Sequence, residues 1–128
     1  MFSGFVFSQT LQKGNLIGVH VGNVILDPDV TFNQWKDFYM NKYIPAVETE
    51  FQGDLKFFLG LADRGDDENM ISIFWVFKSI EARDKYFTQE GEATELLTSK
   101  WEKLQPIREE ANKLGTWNRK HYTDWVIQ

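Results

Sequence analysis

The sequence contains no cysteine, which removes disulfides, thiolate nucleophiles and thiolate metal sites together. It has two histidines, and no spacing links them as metal ligands. No apolar run approaches the ~20 residues that a membrane helix needs, so no membrane partner is expected. Basic residues form no stripe. Lys and Arg alternate with acids, as in Glu102-Lys103 and Arg108-Glu109, and the net charge is −5. Nucleic acid is therefore not expected as a partner, because phosphate binding draws on clustered positive charge. Glycine-rich phosphate loops, Ser-His-Asp arrangements and His-Glu-x-x-His patterns are missing too. No cofactor is expected.

What the chain does have is rings. Eleven Phe, five Trp and four Tyr make 16% of 128 residues aromatic. A domain of this kind has either a core of flat side chains or a ring-lined cavity. The length suits one domain with one core, assigned to residues 14–128, with residues 1–13 as an N-terminal segment. Phe2 to Ser8, followed by Gln9-Thr10, admits two readings: the end of a secretory signal, with Val6 and Ser8 at the small-residue positions of a cleavage site, or an extra strand. The first implies a periplasmic or secreted protein and the second a cytoplasmic one, so the compartment stays open.

Leu16 to Leu26 is apolar on both parities, the pattern of a strand covered on both faces. Asp27-Pro28-Asp29 turns the chain. Thr31 to Gln34 spells a capping box, and Phe32, Trp35, Tyr39, Tyr43 and Val47 follow at helical spacing; Pro45 must kink or restart that helix before it ends ahead of Gly53. Leu55 to Ala62 and Met70 to Phe77 read as strands. The acidic loop between them lacks the ligand spacing of a calcium-binding EF-hand, so a solvated hairpin tip is expected. Ser79 caps a helix expected from Ile80 to about Thr88 and closed by Gly91. A further helical stripe, Leu97, Trp101, Leu104, Ile107, Ala111 and Leu114, is interrupted by Pro106 and stopped by Gly115. His121 to Ile127 is expected as the last strand. The order is βαββαβ, an α+β, ferredoxin-like arrangement: an antiparallel sheet with helices on one face. The other face then needs a cover, and the same sheet from a second copy would supply it, so a homodimer through sheet packing is expected.

On this element order, over about residues 15 to 127, the sequence resembles the dimeric α/β-barrel superfamily. That group includes stress-responsive barrel proteins, antibiotic-biosynthesis monooxygenases and polyketide-cyclising relatives. Three local features add to the resemblance: His20 placed eleven residues before the Thr31 cap, the run Phe77-Lys78-Ser79-Ile80-Glu81-Ala82, and Tyr86 late in the following helix. The resemblance implies a cleft between helices and sheet for an apolar or aromatic small molecule, with His20 inside it. Two departures limit what it implies. Cyclase-like members have a second histidine just after the helix, where this chain reads Thr88-Gln89-Glu90-Gly91-Glu92. The haem-degrading members share Asn23 but need a Trp and a haem-binding His where this chain has Phe77 and Phe87.

His20 is the candidate catalytic residue, because imidazole titrates near neutrality and can exchange a proton with a phenol or enol. Gly18 and Gly22 flank it on the same strand face and leave room around the ring. The opposing reading is an interior histidine whose ring is satisfied, with Trp35 or Phe38 filling that room. Asn23, Trp35, Tyr39, Trp75 and Tyr86 are the candidate ligand-binding residues. On a regular strand Asn23 points away from His20, and the four rings suit core packing as well as a cavity wall. Trp75 suits a dimer interface too. Two functions follow as expectations: a small-molecule-binding barrel, which is a cofactor-independent enzyme acting on an apolar or aromatic compound if His20 serves as acid and base, or a non-catalytic dimeric structural or interaction module with a fully packed cavity.

Overall fold

The computed structural model describes residues 10–128; the two readings of residues 1–8 lie outside them. The elements are β1 (Leu16–Leu26), α1 (Phe32–Phe38), a π-helical turn (Tyr39–Tyr43), α2 (Ile44–Phe51), β2 (Leu55–Leu61), β3 (Ile71–Phe77), α3 (Ile80–Asp84), α4 (Glu95–Lys103), α5 (Gln105–Leu114) and β4 (Gly115–Val126). The strands form one antiparallel sheet in the order β2-β3-β1-β4. With β1 and β3 central and each helical crossover skipping one strand, this is the ferredoxin-like fold expected from the element order.

Local chemistry explains most of the boundaries. Thr31 accepts a hydrogen bond from the Gln34 amide, and the Gln34 side chain accepts one from the Thr31 amide, completing the capping box. Pro45 has no N–H for the turn before it. The helix answers with a wider turn, in which the Ile44 amide reaches back to the Tyr39 carbonyl, and α2 starts with proline in its first turn. It ends where Gln52 and Gly53 take positive φ angles of 52° and 86°.

Two boundaries differ from the sequence expectation. The helix after Ser79 stops at Asp84, because Thr94 folds back to donate to the Lys85 carbonyl at 2.7 Å, and residues 85–94 form a looped segment with a Phe87–Ala93 bridge. The last strand starts at Gly115, six residues earlier than expected, and pairs with β1 along its whole length. Near its middle the register slips. Val21 faces His121 but Gly22 faces Arg119, so Lys120 is left over as a β-bulge.

The helices cover one sheet face. Leu16, Phe57, Ile73 and Phe77 from the strands meet Trp35, Val47, Phe51 and Leu97 from the helices in the main core. Each large side chain buried there is worth ~1.5–3 kcal/mol of burial free energy. The outer sheet face carries Ile17, Val19 and Phe74 along with three well-exposed apolar residues: Phe58 at 42%, Trp125 at 59% and Ile25 at 61%.

Candidate functional site

On the helix side of β1 and β4 the helical layer leaves a cleft of about 620 Å³. Its floor is Gly18, His20, Trp75, Phe77, Phe87 and Tyr122; Arg83, Asp84, Glu90, Arg119 and Asp124 bring charge to its walls. The register brings these together. Gly18 lies between Trp75 and Asp124, and His20 between Ile73 and Tyr122, on adjacent strands.

The imidazole of His20 is sandwiched. Its ring centroid lies 5.2 Å from Trp75 on one side and 5.2 Å from Tyr122 on the other, with interplanar angles of 26° and 12°. Both faces are covered and only the edge is presented. None of the hydrogen bonds among the described residues holds the ring, yet no half-buried polar atom is sealed off without a partner. The ring nitrogens are therefore open to whatever fills the cleft. Burial first, and the Arg119 guanidinium second, hold His20 down at a pKa of about 4 against the usual 6.5. At neutral pH it is an uncharged imidazole with one N–H donor and one nitrogen acceptor.

The two glycines beside His20 do different work. A Cβ at Gly22 would collide with the Asn118 carbonyl oxygen and lie 2.9 Å from the Arg119 Cα, so this glycine admits the β4 backbone at the bulge. A Cβ at Gly18 would meet only side-chain atoms, Asp124 Oδ1 at 2.9 Å and His20 Nε2 at 3.3 Å. The room expected beside the ring is thus taken up on both sides: Gly22 admits backbone, and Gly18 admits the Asp124 carboxylate and the His20 ring itself. Neither Trp35 nor Phe38 lines the cleft.

The walls are organised around two arginines. Arg83 on α3 donates through Nε to Asp84 at 2.7 Å and through Nη1 to Asp124 at 2.9 Å, so one cation serves two carboxylates. Arg119 instead lies over the Tyr122 ring, 4.5 Å from its centroid. Residues 119 and 122 would face opposite sides of a regular strand. The extra residue at the bulge turns both into the cleft. Opposite them, the 85–94 segment is cinched by a reciprocal pair in which the Thr88 amide donates to the Glu92 carbonyl at 2.8 Å and the Glu92 amide to the Thr88 hydroxyl at 3.0 Å.

No family model and no curated protein matches the sequence. Among solved structures, the chain is similar to a dimeric protein of unknown function and ferredoxin-like fold from Bacteroides fragilis NCTC 9343, with 14% identity, a TM-score of 0.45, and coverage of 90% of this chain and 98% of the other. A NIPSNAP family protein from Agrobacterium tumefaciens strain C58 matches at 11% identity and a TM-score of 0.47, over 89% of this chain and 91% of its own. A second NIPSNAP family protein from that organism, of unknown function, matches at 13% and 0.46, over 91% and 89%. The assignment of the fold rests on the strand order and connections described above.

Of the residues singled out from the sequence, His20 and Trp75 line the cleft, and Trp75 faces the helices, away from the outer sheet face. The other four do not line it. Asn23 lies on the outer face, where its carbonyl oxygen accepts from Asn118 at 3.5 Å. Trp35 and Tyr39 are 2% and 8% exposed and stack at 4.8 Å in the main core. Tyr86 is equally buried and donates its hydroxyl to Asp54 at 2.7 Å, tying the 85–94 segment to the residue just before β2. Phe77 and Phe87, which stand where the haem-degrading proteins need Trp and His, present hydrocarbon to the cleft. Sequence reasoning missed Arg83, Arg119, Tyr122 and Asp124. Tyr122 and Asp124 could have been found from the period-2 spacing of a charge with a ring on the last strand; Arg119 could not, because the bulge breaks that period.

Proposed function

We propose that the chain is a small-molecule-binding protein whose cleft takes a planar, largely apolar ring compound. The observation that carries this is the hollow itself: about 620 Å³ beside an edge-on imidazole with unengaged nitrogens. Ligand sites run from ~300 to 1,000 Å³, and here a floor of rings is met by polar walls that carry Arg83, Asp84, Glu90, Arg119 and Asp124. Trp75, Phe87 and Tyr122 supply ring faces and edges for stacking, each worth ~0.5–1.5 kcal/mol beyond its area.

His20 is read as a hydrogen-bonding residue before it is read as an acid–base catalyst. General bases work best with a pKa near the working pH, and about 4 is far below it. Catalysis at His20 requires a ligand whose own negative charge restores the basicity of the ring.

A homodimer through the outer sheet face belongs to the same reading. Phe58, Trp125 and Ile25 are exposed on that face, on its two edge strands and at the far end of β1, with Ile17, Val19 and Phe74 between them, and a second copy of the sheet would cover them.

The direct test is isothermal titration of the whole chain with 2-naphthol. Gly18→Val aims a branched side chain into the hollow while meeting only side-chain atoms. The wild type should bind, and Gly18→Val, still folded by circular dichroism, should lose at least ~tenfold in affinity, about 1.4 kcal/mol. No binding to the wild type, or equal binding to both, overturns the proposal.

A further inference from the structure

Resting on the reading of the cleft as a ligand site, we infer that its ligand carries a carboxylate on the planar ring system and that Arg119 receives it. The inference comes from how charge is distributed around the hollow. Asp84 and Asp124 both turn to Arg83, which donates to each of them. Arg119 has no carboxylate partner among the described residues; its interactions are with the Tyr122 ring and, at longer range, with His20. A guanidinium stacked on a ring keeps its in-plane N–H donors available, in the fork geometry that fits a carboxylate.

Arg119 and His20 bound the same corner. The imidazole, uncharged at neutral pH, has an N–H to donate, and the cation beside it makes that corner favourable for negative charge. Glu90 lies on the opposite wall, exposed on its loop as Arg119 is exposed on β4, so solvent and salt screen both, and what sets the corner apart is that Arg119 and His20 both offer N–H donors there. The bulge argues the same way. A regular β4 would turn Arg119 to the outer face, and the extra Lys120 together with the bare backbone of Gly22 brings it into the cleft.

An aromatic-walled hollow could also suit an organic cation. Such a ligand needs a carboxylate near the rings: Asp84 and Asp124 are engaged by Arg83, which leaves the exposed Glu90 on the loop as the carboxylate it would have to use.

The experiment compares three probes of one shape on the full chain at near-physiological salt: 2-naphthoate, the neutral 2-naphthamide, and the cationic (2-naphthylmethyl)trimethylammonium. 2-Naphthoate should bind roughly tenfold or more tighter than the amide, the ratio a charge-assisted hydrogen bond gives over a neutral one. Arg119→Gln should abolish that preference, bringing the acid down to the amide's level, while Arg119→Lys keeps part of it. Acid and amide binding equally to the wild type, or the ammonium binding tightest, overturns this inference and leaves the ligand site standing. If none of the three binds, the site reading falls as well.

Discussion

Replacing His20 by phenylalanine should make the protein less sensitive to acid. In the folded chain the ring titrates at about 4, and in the unfolded chain at the ordinary 6.5. Between these values the unfolded state binds the extra proton, so stability falls as pH falls. The contribution is fully present above 6.5, is lost progressively below it, and is gone once pH passes about 4. At ~1.4 kcal/mol per pKa unit the span corresponds to at most roughly 3 kcal/mol. The ring is partly open to the cleft, so solvent screening halves this to about 1.5–2 kcal/mol. Phenylalanine keeps a flat ring between Trp75 and Tyr122 and removes the titration. The charged groups around the ring, Arg119 and Asp124 on β4, Arg83 and Asp84 on α3, and Glu90, remain in both proteins and contribute alike. Urea unfolding at pH 7.5 and pH 4 should therefore show the wild type losing about 1.5–2 kcal/mol more than His20→Phe, near 1 M in midpoint at the slope usual for this size. Parallel losses in the two proteins would mean that His20 is as easily protonated folded as unfolded. The account of the buried, cation-flanked imidazole would then be wrong.

Two further outcomes test the frame around the site. Gly22→Ala should cost ~2–4 kcal/mol in urea unfolding, because its methyl group must displace the backbone of Asn118 and Arg119; a loss below ~1 kcal/mol would show that the bulge does not depend on the bare glycine. Light scattering on the eluting peak of a sizing column should give twice the 15.1 kDa chain mass at micromolar concentration; Trp125→Glu, a charge in place of an exposed ring on the edge strand of the outer face, should give a single chain. A monomeric wild type would refute sheet-to-sheet pairing.

The fold was readable because each element is announced by several independent signals. Thr31 with Gln34, Pro45 in the first turn of α2, and Ser79 ahead of α3 mark helix starts, and all three behave in the structure as their chemistry requires. The misread boundaries are those where one residue type has two uses. Gly91 stops a helix in many chains; here its positive φ of 84° serves a turn inside the looped segment, because Thr94 has already closed the helix end. The polar run from Asn118 to Lys120 looked like a connection and is strand, since a bulge tolerates a break in alternation. His20 was readable from its chemistry and its glycines. Trp35, Tyr39 and Tyr86 were not separable from Trp75, because an aromatic residue at core spacing looks the same in sequence whether its ring faces a packed interior or a hollow.

The cleft and the core are built on different parts of the sheet. The stacked rings of Trp35, Tyr39 and Tyr43, and the Phe51–Tyr86 contact, sit among α1, α2, α3 and the strands they cover. The polar walls of the cleft come from β4, α3 and the 85–94 segment, and its floor shares with the core the strand residues Trp75 and Phe77 and the Phe87 ring that packs against it. Trp75 is the junction: it stacks on His20 and also meets Phe57 at 4.8 Å and Trp101 at 6.3 Å. Side chains on the β4 wall can therefore change with little effect on the packing that holds the domain together, because removing Arg119 or Asp124 takes away charge and no buried hydrocarbon. Trp75 has no such freedom. Ligand selectivity in this architecture belongs to β4 and to the bulge that aims it, while Gly18 lets Asp124 and His20 close together over β1 at the floor of the cleft.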